Sequence, residues 1–280
     1  MDEDARFGIN TYSYILREDA LGCALRWAEK GFCAFEIMMH PGHLWPAETG
    51  AETRRVIRRA LEQNRLRLVT LNMPNVDLNV AATTAEMRAY SHGIIEGIVQ
   101  LAGDLGAEGV VVGPGKANPL MPGPRERLTS YFLAALERLA PVAARSGTEL
   151  WVENMPFSFL PDAPSIMSVL DRYGDPTIGM VYDLANGYFI HEDPAAGLAA
   201  VRKRLKLVHI SDTPLESYRH SAIGTGTLPS AGVPDLLRDS GYNDVLMLEI
   251  VADEPDAAIL DSCERLKALN WAGRAMRPTP

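Results

Sequence analysis

Four short apolar runs in the second half of the chain each end on a side chain that can bind a metal. Leu150-Trp151-Val152 leads to Glu153, and Gly179-Met180-Val181-Tyr182 leads to Asp183. Lys206-Leu207-Val208 leads to His209, and Val245-Leu246-Met247-Leu248 leads to Glu249. A buried strand that turns polar at its last residues calls for a ligand at that end. For any one of these residues alone, a salt bridge is the plainer explanation. Four at equivalent places ask for more. Carboxylates crowded together raise one another's pKa values and partly neutralise, unless a cation compensates them. Three oxygen donors with one imidazole suit a single divalent ion: Mn2+, Mg2+, Co2+ or Zn2+.

The elements that must position these residues alternate along the chain. Strands are predicted over 7–10, 34–38, 67–71, 109–113, 149–153, 178–183, 205–210 and 245–250. Helices are predicted over 18–31, 52–63, from Thr83 or Thr84 onward, 125–146, 165–173, 194–202, 229–240 and 255–271. Leu21, Ala24, Leu25 and Ala28 recur at helical spacing before Gly31, and Pro141 is expected to disturb the fourth helix. Val110-Val111-Val112 has no polar alternation, as in a strand covered on both faces. About eight strand–helix units without a break in composition predict an α/β protein, a (β/α)8 TIM barrel over residues 1–272. An open doubly wound sheet ranks second, because no G-x-G-x-x-G motif opens the first helix. Residues 273–280 have no apolar pattern and read as a loose tail.

Composition narrows the partners. A formal net charge of -9 argues against a nucleic-acid backbone as the main partner. Cys23, Cys33 and Cys263 form no paired motif and read as reduced thiols, and the start Met1-Asp2-Glu3-Asp4 lacks the layout of a secretory signal. No apolar run reaches membrane-spanning length. The expectation is a cytoplasmic protein with no membrane or nucleic-acid partner.

Several stretches together resemble the xylose isomerase-like barrels of the sugar phosphate isomerase/epimerase superfamily, over nearly the whole chain. They are Val152-Glu153-Asn154, Tyr182-Asp183, Leu207 to Asp212, Arg219 to Gly226 and Leu248-Glu249. The resemblance implies that Glu153, Asp183, His209 and Glu249 hold one metal ion, with Mn2+ the first expectation. It implies that Glu153 and Glu249 also serve as acid and base on opposite faces of a sugar. A homodimer or homotetramer is implied as well. The distant endonuclease IV relatives hold three zinc ions with extra histidines. Here Asn186, Gly113-Pro114-Gly115 and Tyr218 stand where that pattern has His, a His-containing run and Asp. One metal and no DNA chemistry follow. Asn186 also replaces a substrate-touching histidine of the ketose 3-epimerases.

Around this centre the sequence offers further candidates. Glu36 can meet sugar hydroxyls or form an ion pair. His40, His43 and Trp45 follow the second strand and can form a lid over the mouth or merely decorate a loop. The resemblance makes Arg219, His220 and Asn186 substrate contacts. Asp212 is a candidate to orient His209 or its loop through a hydrogen bond. Lys116 can meet an anion or stay solvated, and Arg54, Arg55, Arg58 and Arg59 read as a solvated helix face. The acidic run Val251-Ala252-Asp253-Glu254 would repel a phosphate. The expected activity is therefore metal-dependent isomerisation or epimerisation of an unphosphorylated ketose, sugar acid or cyclitol through an enediolate. The alternatives are an inosose-type dehydratase and a non-catalytic sugar-binding subunit.

Overall fold

A computed structural model describes residues 6–269. Eight parallel strands close into a barrel in sequence order. They are β1 (Phe7–Asn10), β2 (Ala34–Met38), β3 (Arg67–Asn72), β4 (Gly109–Val112), β5 (Glu149–Glu153), β6 (Gly179–Asp183), β7 (Leu205–Ile210) and β8 (Leu246–Leu248). The helices are α1 (Ala20–Ala28), α2 (Ala51–Gln63), α3 (Ala85–Leu105), α4 (Arg125–Ser146), α5 (Ala163–Tyr173), α6 (Leu184–Phe189), α7 (Pro194–Val201), α8 (Val233–Ser240) and α9 (Pro255–Ala268). The proposed tail at 273–280 lies outside the described residues.

The strands look uniformly apolar because their two faces are buried in two different cores. Val111, Trp151, Val181, Leu207 and Met247 point to the barrel axis and form one cluster. Their neighbours Val110, Val152, Met180, Tyr182, Val208 and Leu248 point outward into the helix layer. This is the period-two alternation of a strand, hidden because both sides are apolar. Trp151 fills the barrel floor. Glycines on the flanking strands make room: a Cβ at Gly109 or Gly179 would lie 2.6 Å from its ring. One step further along each strand the inward position turns polar, giving Asn10, Glu36, Glu153, Asp183 and His209.

Two register shifts adjust that polar layer. One falls between Phe35 and Glu36, so Glu36 pairs with Thr70, and the other falls between Met180 and Val181. Asp183 then stands directly beside His209.

Most helix boundaries follow local chemistry. Asp19, Thr84, Asp162 and Asp193 cap α1, α3, α5 and α7 through their side chains. Helix α4 runs through Pro141 without a break, contrary to the expected disturbance. The predicted 229–240 helix opens as a 3-10 turn at Ser230–Gly232 before α8. Helix α6 was not expected, because its six residues Leu184-Ala185-Asn186-Gly187-Tyr188-Phe189 carry no amphipathic repeat. Asp183 caps it. Among the described residues no helix is long and apolar enough to cross a membrane.

Candidate metal centre

The barrel brings Glu153, Asp183, His209 and Glu249 together at the C-terminal end of its strands. Each offers a ligand atom, and these atoms lie within 4.8 Å of one another. Nδ1 of His209 faces the group: it is 3.0 Å from Glu153 Oε1, 3.0 Å from Glu249 Oε2 and 3.8 Å from Asp183 Oδ2. All four residues are buried.

Asp183 shows what the cluster lacks. Its Oδ1 accepts the backbone N–H of Asn186 at 2.6 Å, closing the first turn of α6. Its Oδ2 is buried and has no hydrogen-bond partner. A buried carboxylate oxygen left so is costly unless a cation completes it. Three carboxylates, one imidazole and this orphaned oxygen fit one divalent ion bound through mixed oxygen and nitrogen donors.

The proton balance is shifted accordingly. Burial pushes Asp183 up to about 6, with the Glu249 charge adding to the effect and the two histidines opposing it. Burial likewise raises Glu153 against the pull of His209. Burial disfavours a charged His209, but the carboxylates of Glu36 and Glu153 outweigh it and hold the imidazole well above its ordinary value.

Glu36 lies beneath the centre, not in the substrate space. It is fully buried, and its Oε2 is 3.2 Å from His209 Nε2. Asn10, Thr70 and Asn72 donate to its remaining positions. It is not among the residues that line the mouth cavity, and of its two readings the structure shows the ion pair. With Nε2–H donated to Glu36, the Nδ1 lone pair is left for the centre, the usual arrangement behind a metal-bound histidine.

Asp212 does not touch His209 either. Its carboxylate accepts the backbone N–H groups of Thr213, Gly224 and Leu228. It therefore organises the loop after β7, the other half of its expected role. Gly226 is required there, since a Cβ would lie 2.5 Å from Asp212 Oδ1.

The chain belongs to the xylose isomerase-like TIM barrel family. The family model matches residues 25–269. An uncharacterized protein of Methanocaldococcus jannaschii is 22% identical over 260 residues, which cover 88% of this chain and 84% of that protein. A D-tagatose 3-epimerase-like protein superposes with a TM-score of 0.81 at 21% identity, over 95% of this chain and 97% of that one. The 3-keto-D-glucoside 4-epimerase of E. coli does so with a TM-score of 0.77 at 21% identity, over 94% and 99%. At such identities the likeness carries the fold.

The mouth of this xylose isomerase-like barrel opens as a cavity of about 710 Å³. Glu153, Glu249, Asn186 and His220 line its inner end, and Arg219 and His40 line its wall. Asn186 accepts from the Tyr218 hydroxyl at 2.7 Å, and Tyr218 also meets His220 Nε2 at 2.7 Å. Ser211 Oγ lies 2.9 Å from His220 Nδ1. In the sequence Tyr218 stands out only as a replacement for Asp; its hydroxyl between Asn186 and His220 gives it a positioning part.

Of the lid and the plain loop, His40 reaches the mouth cavity, whereas His43 and Trp45 do not line it. His43 is buried between the Glu18 carbonyl at 2.6 Å and Thr11 Oγ1 at 2.9 Å. The chain then turns back through a His40–Leu44 bridge, and Trp45 packs against the core beside a separate cavity of about 300 Å³. Lys116 is engaged with the carbonyls of Asn75 and Val76. Arg54, Arg55 and Arg58 are paired with Asp104, Glu52 and Glu62.

Proposed function

We propose that the protein is a divalent-metal-dependent sugar isomerase or epimerase. It acts by proton transfer through an enediolate on an unphosphorylated ketose, sugar acid or cyclitol. The observation that carries this reading is the convergence of Glu153, Asp183, His209 and Glu249 around the orphaned Asp183 oxygen, at the floor of an open cavity. The epimerase names of the similar solved structures support it.

Those four residues would hold the ion, which would supply Lewis-acid stabilisation of charge developing on a carbonyl oxygen. Mn2+ is the first ion to try. One glutamate takes the proton from the carbon beside the carbonyl; the C–H electron pair becomes the C=C bond of the enediolate as the carbonyl π pair moves onto its oxygen. A proton returned by the other glutamate to the opposite face gives the epimer. A proton returned to the adjacent carbon gives the isomer, as the hydroxyl on the first carbon passes its proton to the former carbonyl oxygen and becomes the new carbonyl. Arg219, His220 and Asn186 would bind sugar oxygens, with Tyr218 holding the latter two in place. Glu153 and Glu249 are 3% and 6% exposed, so little bulk water competes for the transferred proton.

The test is solvent deuterium incorporation, followed by NMR, into ketoses, keto-acids and inososes with Mn2+-loaded protein. Exchange that falls by roughly 10²–10⁴ in Glu249→Gln would support the reading. Substrate loss with a new ultraviolet-absorbing enone would move it to a dehydratase. No exchange with any compound, despite bound metal, would replace it with a binding subunit.

A further inference from the structure

One side chain in the mouth cavity is firmly seated and yet has an unused polar tip. Tyr12 opens the short 3-10 turn Tyr12–Tyr14 that follows β1. That turn is tied down on both sides. Towards β2, the Thr11 N–H donates to the Glu36 carbonyl at 3.0 Å, and the Thr11 hydroxyl accepts the Met38 N–H at 3.0 Å. Towards β8, the Ser13 hydroxyl donates to the Ile250 carbonyl at 2.8 Å and accepts the Ala252 N–H at 3.0 Å. Ile250 directly follows Glu249, so Ser13 fixes the turn beside that glutamate. The Tyr12 N–H itself donates to Asn10 Oδ1 at 2.8 Å, and Asn10 donates to Glu36 beneath the metal centre.

The tip of the side chain is not tied. Tyr12 is half-buried and lines the cavity, and its hydroxyl has no hydrogen-bond partner among the described residues. Other donors in the cavity wall are engaged. The Tyr218 hydroxyl lies between Asn186 and His220, the Lys116 ammonium holds the carbonyls of Asn75 and Val76, and the Asn72 amide donates to Glu36. Burial raises the Tyr12 pKa, and the charges of Glu249 and Asp77 raise it further. Tyr12 is thus a neutral O–H donor, close enough to Glu249 to feel its charge. A reaction that builds charge on an oxygen gains most from a donor already fixed in place.

Resting on the sugar proton-transfer reading above, we propose that Tyr12 is a further catalytic residue. Its hydroxyl donates to the substrate's carbonyl oxygen, next to the carbon that Glu249 serves. That oxygen offers no proton of its own and needs a donor. As the C–H proton leaves and the carbonyl π pair moves onto the oxygen, a neutral hydrogen bond becomes a charge-assisted one. Tyr12 keeps its proton throughout, and no bond to it forms or breaks.

The test compares wild type and Tyr12→Phe as Mn2+-loaded full chains. The probes are D-fructose, D-tagatose, hydroxypyruvate and scyllo-inosose, each followed by equilibrium binding and by solvent deuterium exchange in NMR. The expected result is binding weakened by about 5-fold and kcat/KM for exchange lowered by roughly 100-fold. Mn2+ affinity and Tm should match wild type, which a merely structural role would not allow. Exchange lowered no more than binding, unchanged exchange, or a loss of Mn2+ affinity that accounts for the fall would each overturn the proposal. The reading beneath it fails separately. No exchange by wild type on any probe, with binding still weakened in Tyr12→Phe, sinks proton transfer and leaves the Tyr12 contact standing. Equal exchange by both forms sinks Tyr12 alone, and no binding of any probe by either form sinks both.

Discussion

Nε2 of His209 on β7 lies 3.2 Å from Oε2 of Glu36 on β2, across the closed barrel. The contact joins residues 173 positions apart and leaves Nδ1 of the same ring facing Glu153 and Glu249. Glu36 is thus the residue that orients the imidazole. Replacing it by Ala frees the ring to turn and removes the preference for Nε2–H. The expected outcome is Mn2+ affinity lowered by roughly 10–100-fold, read by calorimetric titration of chelator-treated protein. Undiminished affinity would show that the ring is held by packing alone.

The metal-free protein should lose stability as pH rises. Asp183, raised from 3.8 to about 6, holds its proton more tightly when folded, so its contribution falls between about pH 4 and 6, by on the order of 3 kcal/mol. His209, also raised, adds stability below pH 6.5 that is lost as pH climbs through its folded value. Glu36 is lowered: burial raises it most, but the charge of His209 and the hydrogen bonds from His209, Thr70 and Asn72 together outweigh burial, and its contribution is lost only on acidification below about 4.5. Thermal unfolding from pH 4.5 to 9 should show Tm declining without metal. Mn2+ should raise Tm more at pH 7.5 than at pH 5, because protons compete for the same carboxylates. Asp183→Asn should abolish the Mn2+ effect and flatten the decline below pH 6. A metal-free Tm that rises across this range would contradict the charge balance described.

Asp212 separates loop order from metal binding. Asp212→Ala leaves three backbone N–H groups without their acceptor. A loss of about 2–4 kcal/mol in chemical denaturation is expected. Mn2+ affinity of the folded variant should change less than threefold, since Asp212 makes no contact with His209. A collapse of metal binding at retained stability would assign Asp212 to the centre.

Trp151 tests the floor of the barrel. It is 3% exposed, and two glycines leave room for its ring. Trp151→Ala should cost about 3–5 kcal/mol through the cavity it opens, measured by denaturant unfolding. A loss under 1 kcal/mol would mean the floor collapses around the gap.

Much of this protein is legible along the chain because the signals are local. Strand and helix alternation, side-chain caps such as Asp19 and Asp162, and polar residues closing apolar strands depend on a few neighbouring residues. Helix α6 was illegible because its defining contact is the Asp183 carboxylate on the Asn186 N–H, at a length too short for any periodicity.

Which inward carboxylate faces which ring was decided only by closure of the barrel. Glu36 and Glu153 look alike in sequence, each a glutamate within or ending an apolar strand. The register shift at Phe35/Glu36 and the packing across the axis set Glu36 under His209 and Glu153 beside its other nitrogen. Trp45 was placed in the same way, by the turn at His40–Leu44 that carries it away from the mouth. The sequence by itself determined the fold class and the chemical types gathered at the strand ends, because burial pattern and residue chemistry are properties of short segments. The tertiary structure alone decided their partners, because a contact between strands far apart in the chain depends on stagger and closure, which no local run of residues encodes.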